Sequence, residues 1–466
     1  MNNLLLAIRN LFRNGRRSLT TIIAMVIGML ALLLFGGFIS SIYYGLETGI
    51  VRNQGHLQIY PEGYLKYGSS RPTEYFIDAY PDLLNILKND DVLKKRIEVI
   101  TPDVRLNGIA GNHAADTSKT FFANGIMPIN YNKMQDWDYY KLGIASDKIA
   151  LTDNNIEQGM VGYGMAQMLN LCGQLKVPDC EDQPVATNDN PIDEDILSFQ
   201  DLAEREAQSS KSETPQQGIQ IDLLASTGSG APNVLSVNVI EAQQQGNKML
   251  DDNLITMHFK HAQNLVFSDP NKASSIILQL KNTETMQNTQ AYIQNLLSHI
   301  VLKGQKFEIK NYTEFNPQFS KIINMFSILF IFIVVVISLV VLFTTINTLT
   351  MSVMERITEI GSLRAMGVRR SGIRQQFLLE GAVIGVSGAT LGVFIAIAIT
   401  YFFNHAGISW TPPSNSSSTP LKILLYANPL LLIGAWVLMV LVATISSIIP
   451  ARFAARMNIV DAIRHG

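Results

Sequence analysis

Ile322–Met354 reads IINMFSILFIFIVVVISLVVLFTTINTLTMSVM, 33 residues without an Asp, Glu, Lys or Arg. A helix crossing a hydrocarbon core of about 30 Å needs roughly 20 apolar residues, and buried helices of soluble proteins seldom stay uncharged for so long. At about 1.5 Å per residue this stretch forms roughly 50 Å of helix, so it is expected to span a bilayer and project beyond it. Three further windows are also uncharged: Leu19–Leu46, Gly381–Asn404 and Ile423–Ala451. Between the first two of the four windows lies a polar stretch of some 275 residues. The expected fold is therefore membrane α-helical, with four transmembrane helices and a large α+β extracytoplasmic domain inserted between helices 1 and 2.

Charge orients this arrangement. Arg9, Arg13, Arg16 and Arg17 precede the first window, Arg356, Arg364, Arg369, Arg370 and Arg374 lie between the second and third, and Arg452, Arg456 and Arg464 follow the fourth. The positive-inside rule makes these ends, and both termini, cytoplasmic. Leu46–Ser320 holds 22 Lys plus Arg against 34 Asp plus Glu, a net of −12, while the rest of the chain carries +10. The overall −2 hides two oppositely charged compartments, and the insert and the loop containing Ser414–Thr419 fall on the far side. A cleaved signal peptide is not expected, because a signal core is roughly 7–15 residues long and Leu19–Leu46 is 28 uncharged residues running into Ile42, Tyr43 and Tyr44. The boundaries expected are a cytoplasmic segment 1–18, helix 1 with its stalk 19–46, the insert 47–320, stalk and helix 2 321–354, a cytoplasmic segment 355–375, helix 3 376–404, an outer loop 405–422, helix 4 423–450 and a cytoplasmic tail 451–466.

Within the insert, short apolar runs at Ile97–Ile100 and Phe121–Ile126 and alternation at Asn233–Ile240 and Ser274–Leu280 predict strands, and Thr285–His299 predicts a helix. Gly159–Leu171 places Met160, Tyr163, Met165, Met168, Leu169 and Leu171 at helical spacing. Residues 178–217 turn acidic and polar and read as a flexible excursion. This pattern predicts a discontinuous subdomain over about 47–150 and 255–320, with a second one over about 151–254 between its halves. Cys172 and Cys180, the only cysteines, suit either a disulfide in an oxidising compartment or two free thiols. No metal site is expected: Asp193-Glu194-Asp195 lacks calcium-loop spacing, and His258 and His261, three apart, read as a solvated helix flank.

The stretch from Asn347 to Glu380, NTLTMSVMERITEIGSLRAMGVRRSGIRQQFLLE, places Val353, Ile357, Ile360 and Leu363 at intervals of three or four among Glu355, Arg356, Glu359 and Arg364. This is an amphipathic helix, and Gly361 and Gly367 punctuate it. Its mixed charge suits a protein partner better than a lipid surface. The segment resembles the signature of FtsX/MacB-type ABC transporter permeases, S-V-x-E-R-x-x-E-I-G-x-x-R-A-x-G ending near F-L-x-E. It does so through Ser352, Val353, Glu355, Arg356, Glu359, Ile360, Gly361, Arg364, Ala365, Gly367, Phe377, Leu378 and Glu380. The tail PARFAARMNIVDAIRHG, the N-terminal LLLAIRNLFRNGRRSLTTIIAMVIG and the four-helix topology are similar too.

That resemblance implies a type VII, mechanotransmission transporter, in which two permease copies or paralogues pair and each contacts an ATPase subunit. It implies ATPase coupling by Glu355, Arg356, Glu359, Gly361, Arg364 and Gly367, with Arg452 and Arg456 as secondary candidates. No G-x-x-x-x-G-K-[ST] loop occurs in the sequence, so no catalytic residue or cofactor is expected on this chain, and ATP with Mg enters through the partner ATPase. The chain begins 18 residues before its first uncharged window, which does not fit a MacB with its ATPase fused in front. Small residues at four-residue spacing, Gly37/Ser41/Gly45 and Gly381/Gly385, are candidates for dimer or helix packing. Charges are missing from all spans, which argues against an ion path. GHLQIYPEGY around His56 looks most like the lipoprotein-releasing LolC/LolE-like branch. The expectation is release or export of a lipoprotein or other hydrophobic substrate at the outer face of a bacterial inner membrane, with lipid and a periplasmic protein as further partners and no nucleic acid. An FtsX-like signalling permease that switches a cell-wall hydrolase is the alternative.

Overall fold

The computed structural model describes residues 9, 13, 15–68, 75–145, 148–182, 219–267, 269–410, 419–425 and 428–458. Most of the expected N-terminal segment, the acidic excursion from 183, the loop residues Ser414–Ser418 and the tail beyond 458 lie outside the described residues. Among the described residues six helices build the membrane part: α1 Gly15–Gln54, α2 Pro317–Glu355, α3 Ile357–Ala365, α4 Arg370–His405, α5 Pro429–Ser446 and α6 Ile448–Arg456. Among the described residues four helical stretches are long and apolar enough to cross a membrane. Pro317 opens α2 where a backbone N–H would have no partner, and the helix then runs unbroken for 39 residues.

Met25, Met29, Leu32 and Leu33 of α1 meet Val341 of α2, Ile384 of α4 and Met439 of α5 in one apolar core. Only 6% of the most apolar window of α2 is buried within the chain. Ile328, Phe332, Val335, Leu339 and Phe343 instead face outward. The fourth span differs from expectation, since the helix begins at Pro429 and breaks at Ser447. Ile423–Leu425 is not helical. Its Leu424 N–H donates to Gly37 O at 3.1 Å, and Ile423 and Leu425 cover Gly37. Helix 3 starts earlier than position 376, at Arg370, because Gly367 ends α3 and Arg369, in extended conformation, starts the next turn.

The extracytoplasmic domain is organised by one long strand. The strands are β1 Leu57–Pro61, β2 Ile97–Asn112, β3 Thr117–Ile126, β4 Gln158–Gly162, β5 Ile219–Ser226, β6 Pro232–Gln243, β7 Leu254–His258, β8 Ser275–Leu280 and β9 Phe307–Asn311. The first half of β2 pairs with β8, giving the order β9-β1-β8-β2. Its second half pairs with β3 on one edge and β5 on the other, so β2-β3-β7-β4-β6-β5 closes on itself. Leu83, Leu87, Ile293 and Leu297 from two helices cover the open sheet, and Leu106, Phe121, Val161, Leu223, Val237 and Ile255 share the core of the closed unit.

Three expectations need correction here. The division into units runs through β2 near Asp103 and between β7 and β8, not near 150 and 255, because a 16-residue strand serves both sheets. Gly159–Leu171 is a strand and then a helix over Tyr163–Met168: Met160 and Val161 pair with β6 on one edge and β7 on the other, and this overrides the helical spacing that begins at Met160. His258 and His261 are buried, not solvated. His258 Nδ1 accepts from Lys260 N and caps its helix, while Nε2 faces Asp153 Oδ1 at 3.2 Å; His261 Nε2 donates to Ser236 O at 3.0 Å.

Cys172 and Cys180 are joined in a disulfide, eight residues apart in sequence. Closing so short a loop restricts the unfolded chain by about 2.5 kcal/mol in the chain-entropy picture. Reductant is therefore expected to destabilise the closed unit by about that amount, read as a fall in its thermal midpoint, and a Cys172→Ser/Cys180→Ser chain should show no response to reductant.

Candidate functional site: the α3 corner and the stalk elbow

The corner is made by the end of α2, all of α3, the first turns of α4 and α6. Val353, Ile360, Ile373, Phe377, Ala451, Ala454 and Ala455 form its apolar centre. The alanines on one face of α6 let that helix lie close. Gly367 has φ +96°, a left-handed conformation that favours glycine, and it turns the chain from α3 into α4.

Arg356 ties the corner together from inside. Its Nη1 donates to Glu380 Oε1 at 3.0 Å and its Nε to Glu359 Oε2 at 3.1 Å, with the Phe377 ring 5.7 Å from the guanidinium. The Arg356 and Glu380 side chains are 8% and 4% exposed, whereas Glu359 is 44% exposed. Arg13, from the N-terminal segment, donates to the other Glu359 oxygen. Partial burial pushes the Glu359 carboxyl upward, but hydrogen bonds from Arg356 and Arg13 and their charges outweigh it and hold the group below its ordinary range.

The six residues singled out for coupling thus divide. Glu355, Glu359 and Gly367 lie at the surface, Arg356 and Gly361 are buried, and Arg364 is half-buried with Nη1 3.4 Å from Val368 O. Arg452 and Arg456 point outward from α6. Met366, at the tip of the turn, is 73% exposed and carries no polar signal that sequence reasoning would select. Glu380 and Arg13 complete the ion network, and 24 and 346 residues separate their paired positions. The small-residue faces are spent within the chain: Gly381 meets Ser447 and Gly385 meets Ala443, while Gly37 lies under Ile423. Ser41 is half-buried, and a Cβ at Gly45 or Gly49 would meet nothing within 4 Å.

At the other membrane face α1 enters the domain through an elbow. Arg52 is buried and donates to the carbonyls of Trp137, Ile144 and Ala145 at 2.8, 3.2 and 2.9 Å. Glu47 Oε1 accepts from Tyr140 at 2.8 Å. Gly55 has φ +72°, and a Cβ there would lie 2.8 Å from Leu278 O. The next residue, His56, is fully buried: Leu280 N–H donates to Nδ1 at 3.0 Å, so Nε2–H donates to Thr283 Oγ1 at 3.1 Å. Lys422, beyond α4, donates to Leu142 O, so the outer loop reaches the same segment.

Residues 328–459, which hold the corner, match the FtsX-like permease C-terminal family. Over these residues the chain is similar to permeases of the FtsX/MacB type. The ABC transporter permease YtrF of Bacillus subtilis is 37% identical to this chain over 134 residues, covering 28% of this chain and 30% of YtrF. The macrolide export ATP-binding/permease protein MacB of Hyphomonas neptunium is 30% identical over 191 residues, covering 41% of this chain and 27% of that protein. MacB of Psychrobacter cryohalolentis is 33% identical over 117 residues, covering 25% and 16%. The chain therefore matches less than a third of the length of these relatives. The extracellular domain of the noncanonic ABC-type transporter YknZ from Gram-positive bacteria aligns over 55% of this chain and 99% of its own at 16% identity, with a TM-score of 0.29, too loose to bear on function.

Proposed function

We propose that this chain is the permease subunit of an ABC transporter, in which a separate ATPase docks on the α3 corner and moves the extracytoplasmic domain. The observation that carries the reading is the corner itself: Glu355, Met366 and Gly367 stand exposed at one end of α2, and the other end of that helix follows β9 of the domain by only five residues. A rigid helix of this length transmits displacement between the two membrane faces. The termini and the corner are then cytoplasmic, the domain periplasmic, and the membrane a bacterial inner membrane. Two permeases and two ATPases form the working unit, and ATP and Mg bind the ATPase.

We further propose that the cargo is a lipoprotein or another hydrophobic substrate handled at the outer face, because the spans hold no charge for a polar path and GHLQIY resembles the lipoprotein-releasing branch. Crosslinking the external domain in cells tests the cargo: a lipoprotein or lipid supports release, and a cell-wall hydrolase would replace it with signalling. For docking, wild-type permease is expected to co-purify an ATPase, and Met366→Asp to lower the yield at least ten-fold. Met366 is too exposed for the change to disturb folding, since surface substitutions usually stay within about 0.5 kcal/mol. Capture of no ATPase by the wild type would sink the reading.

A further inference from the structure

The corner contains a joint that no docked protein can reach. Arg356, at the inner end of α2, and Glu380, on α4, are both more than nine-tenths buried and 3.0 Å apart. Glu380 is the last charged residue before α4 enters its uncharged stretch. From there α4 lies against α1, where Gly388 and Gly392 approach Met25 and Met29 so closely that a Cβ would come within 2.8 and 2.6 Å of the methionine Cβ atoms. In turn α1 continues to Gln54 and delivers the chain directly to the elbow and β1.

By contrast, only 6% of the most apolar membrane window of α2 is buried, its contacts with α1 being made by Phe330, Ile337 and Val341. A displacement of α3 therefore has a packed route to the domain through α4 and α1. We propose that Glu380, acting through Arg356, is a positioning residue that carries movement of α3 into α4. The proposal rests on the docking reading above. A desolvated, charge-assisted pair suits the task because its geometry is directional, whereas apolar contacts in the same place could slide.

The test uses the full-length permease with its captured ATPase in lipid nanodiscs, spin-labelled at Lys95→Cys in the domain and Phe402→Cys at the outer end of α4, both exposed. Wild type should shift its label distance on addition of ATP, Mg and vanadate. Glu380→Gln should still capture ATPase within two-fold of wild type while reducing the shift at least four-fold. If that variant does not fold, the Arg356→Met/Glu380→Met pair keeps the volume without the charges, a replacement buried ion pairs often tolerate. It should also capture ATPase and lose the shift. An undiminished shift in either variant overturns the proposal, and so does loss of ATPase capture by a folded variant, which would make the pair part of the dock. Absence of ATPase on the wild type marks failure of the docking reading instead.

Discussion

Replacing Gly392 by leucine is expected to separate α4 from α1 and cost about 3 kcal/mol, the upper part of the range for overpacked cores. A Cβ at this position would lie 2.6 Å from Met29 Cβ, 2.8 Å from its Cγ and 3.5 Å from Val26 O. Met29 is fully buried, and its Cβ and Cγ are the near, inflexible end of the side chain, so the strain passes to the helix axes. Even Gly392→Ala should be destabilising, by a smaller amount. The control is Gly49→Ala on α1, where a Cβ meets nothing within 4 Å. There alanine should be neutral, or stabilising by up to about 1 kcal/mol through helix propensity. Thermal unfolding of the purified protein in detergent separates the two positions. Equal effects at 392 and 49 would mean that α4 and α1 are not in contact as described.

This contrast also bears on what the sequence alone can reveal. Four-residue spacing of small side chains marks a helix face able to approach another helix, and it does not name the neighbour. Gly381 and Gly385 use their face on α5, Gly388 and Gly392 use theirs on α1, and Gly37 accepts a non-helical strand of chain that hydropathy alone would extend into helix 4. The spans themselves are legible because charge is excluded from hydrocarbon locally, residue by residue. The corner is legible as an amphipathic helix with a glycine stop for the same local reason. Long-range partners are not. Nothing at Arg356 points 24 positions on to Glu380, and the closed sheet joins β3 to β7 and β4 to β6 across more than 70 residues each. Met160 obeys a helical pattern until two neighbouring strands claim its backbone. His258 looks solvated until Asp153, 105 residues earlier, arrives beside it.

Acidification is expected to loosen the stalk elbow through His56. Burial lowers the pKa of this ring to about 3, and an unfolded histidine titrates near 6.5. Below about pH 6.5 the unfolded chain therefore takes up a proton that the folded elbow refuses. The stability linked to His56 is complete above that pH and is lost as pH falls through the window from about 6.5 to about 3. Each pH unit inside the window costs about 1.4 kcal/mol, so moving from pH 7 to pH 5 should remove about 2 kcal/mol. Two features make the penalty local: protonated Nδ1 could no longer accept from Leu280 N–H, and a charged ring would lie edge-on to Trp137 at 5.2 Å. Burial also lowers the His258 and His261 pKa values, although hydrogen bonds to Asp153 and Ser236 oppose it, and both residues add a dependence of the same sign. The informative quantity is thus the difference in pH slope between wild type and His56→Asn, measured as thermal midpoint from pH 7.5 to 5. His56→Asn should be less stable at pH 7.5 and flatter toward pH 5, so the two curves converge as the medium acidifies. Parallel curves would show that His56 is not the proton-excluding group, and the elbow would then owe its rigidity to Gly55 and the Arg52 hydrogen bonds alone.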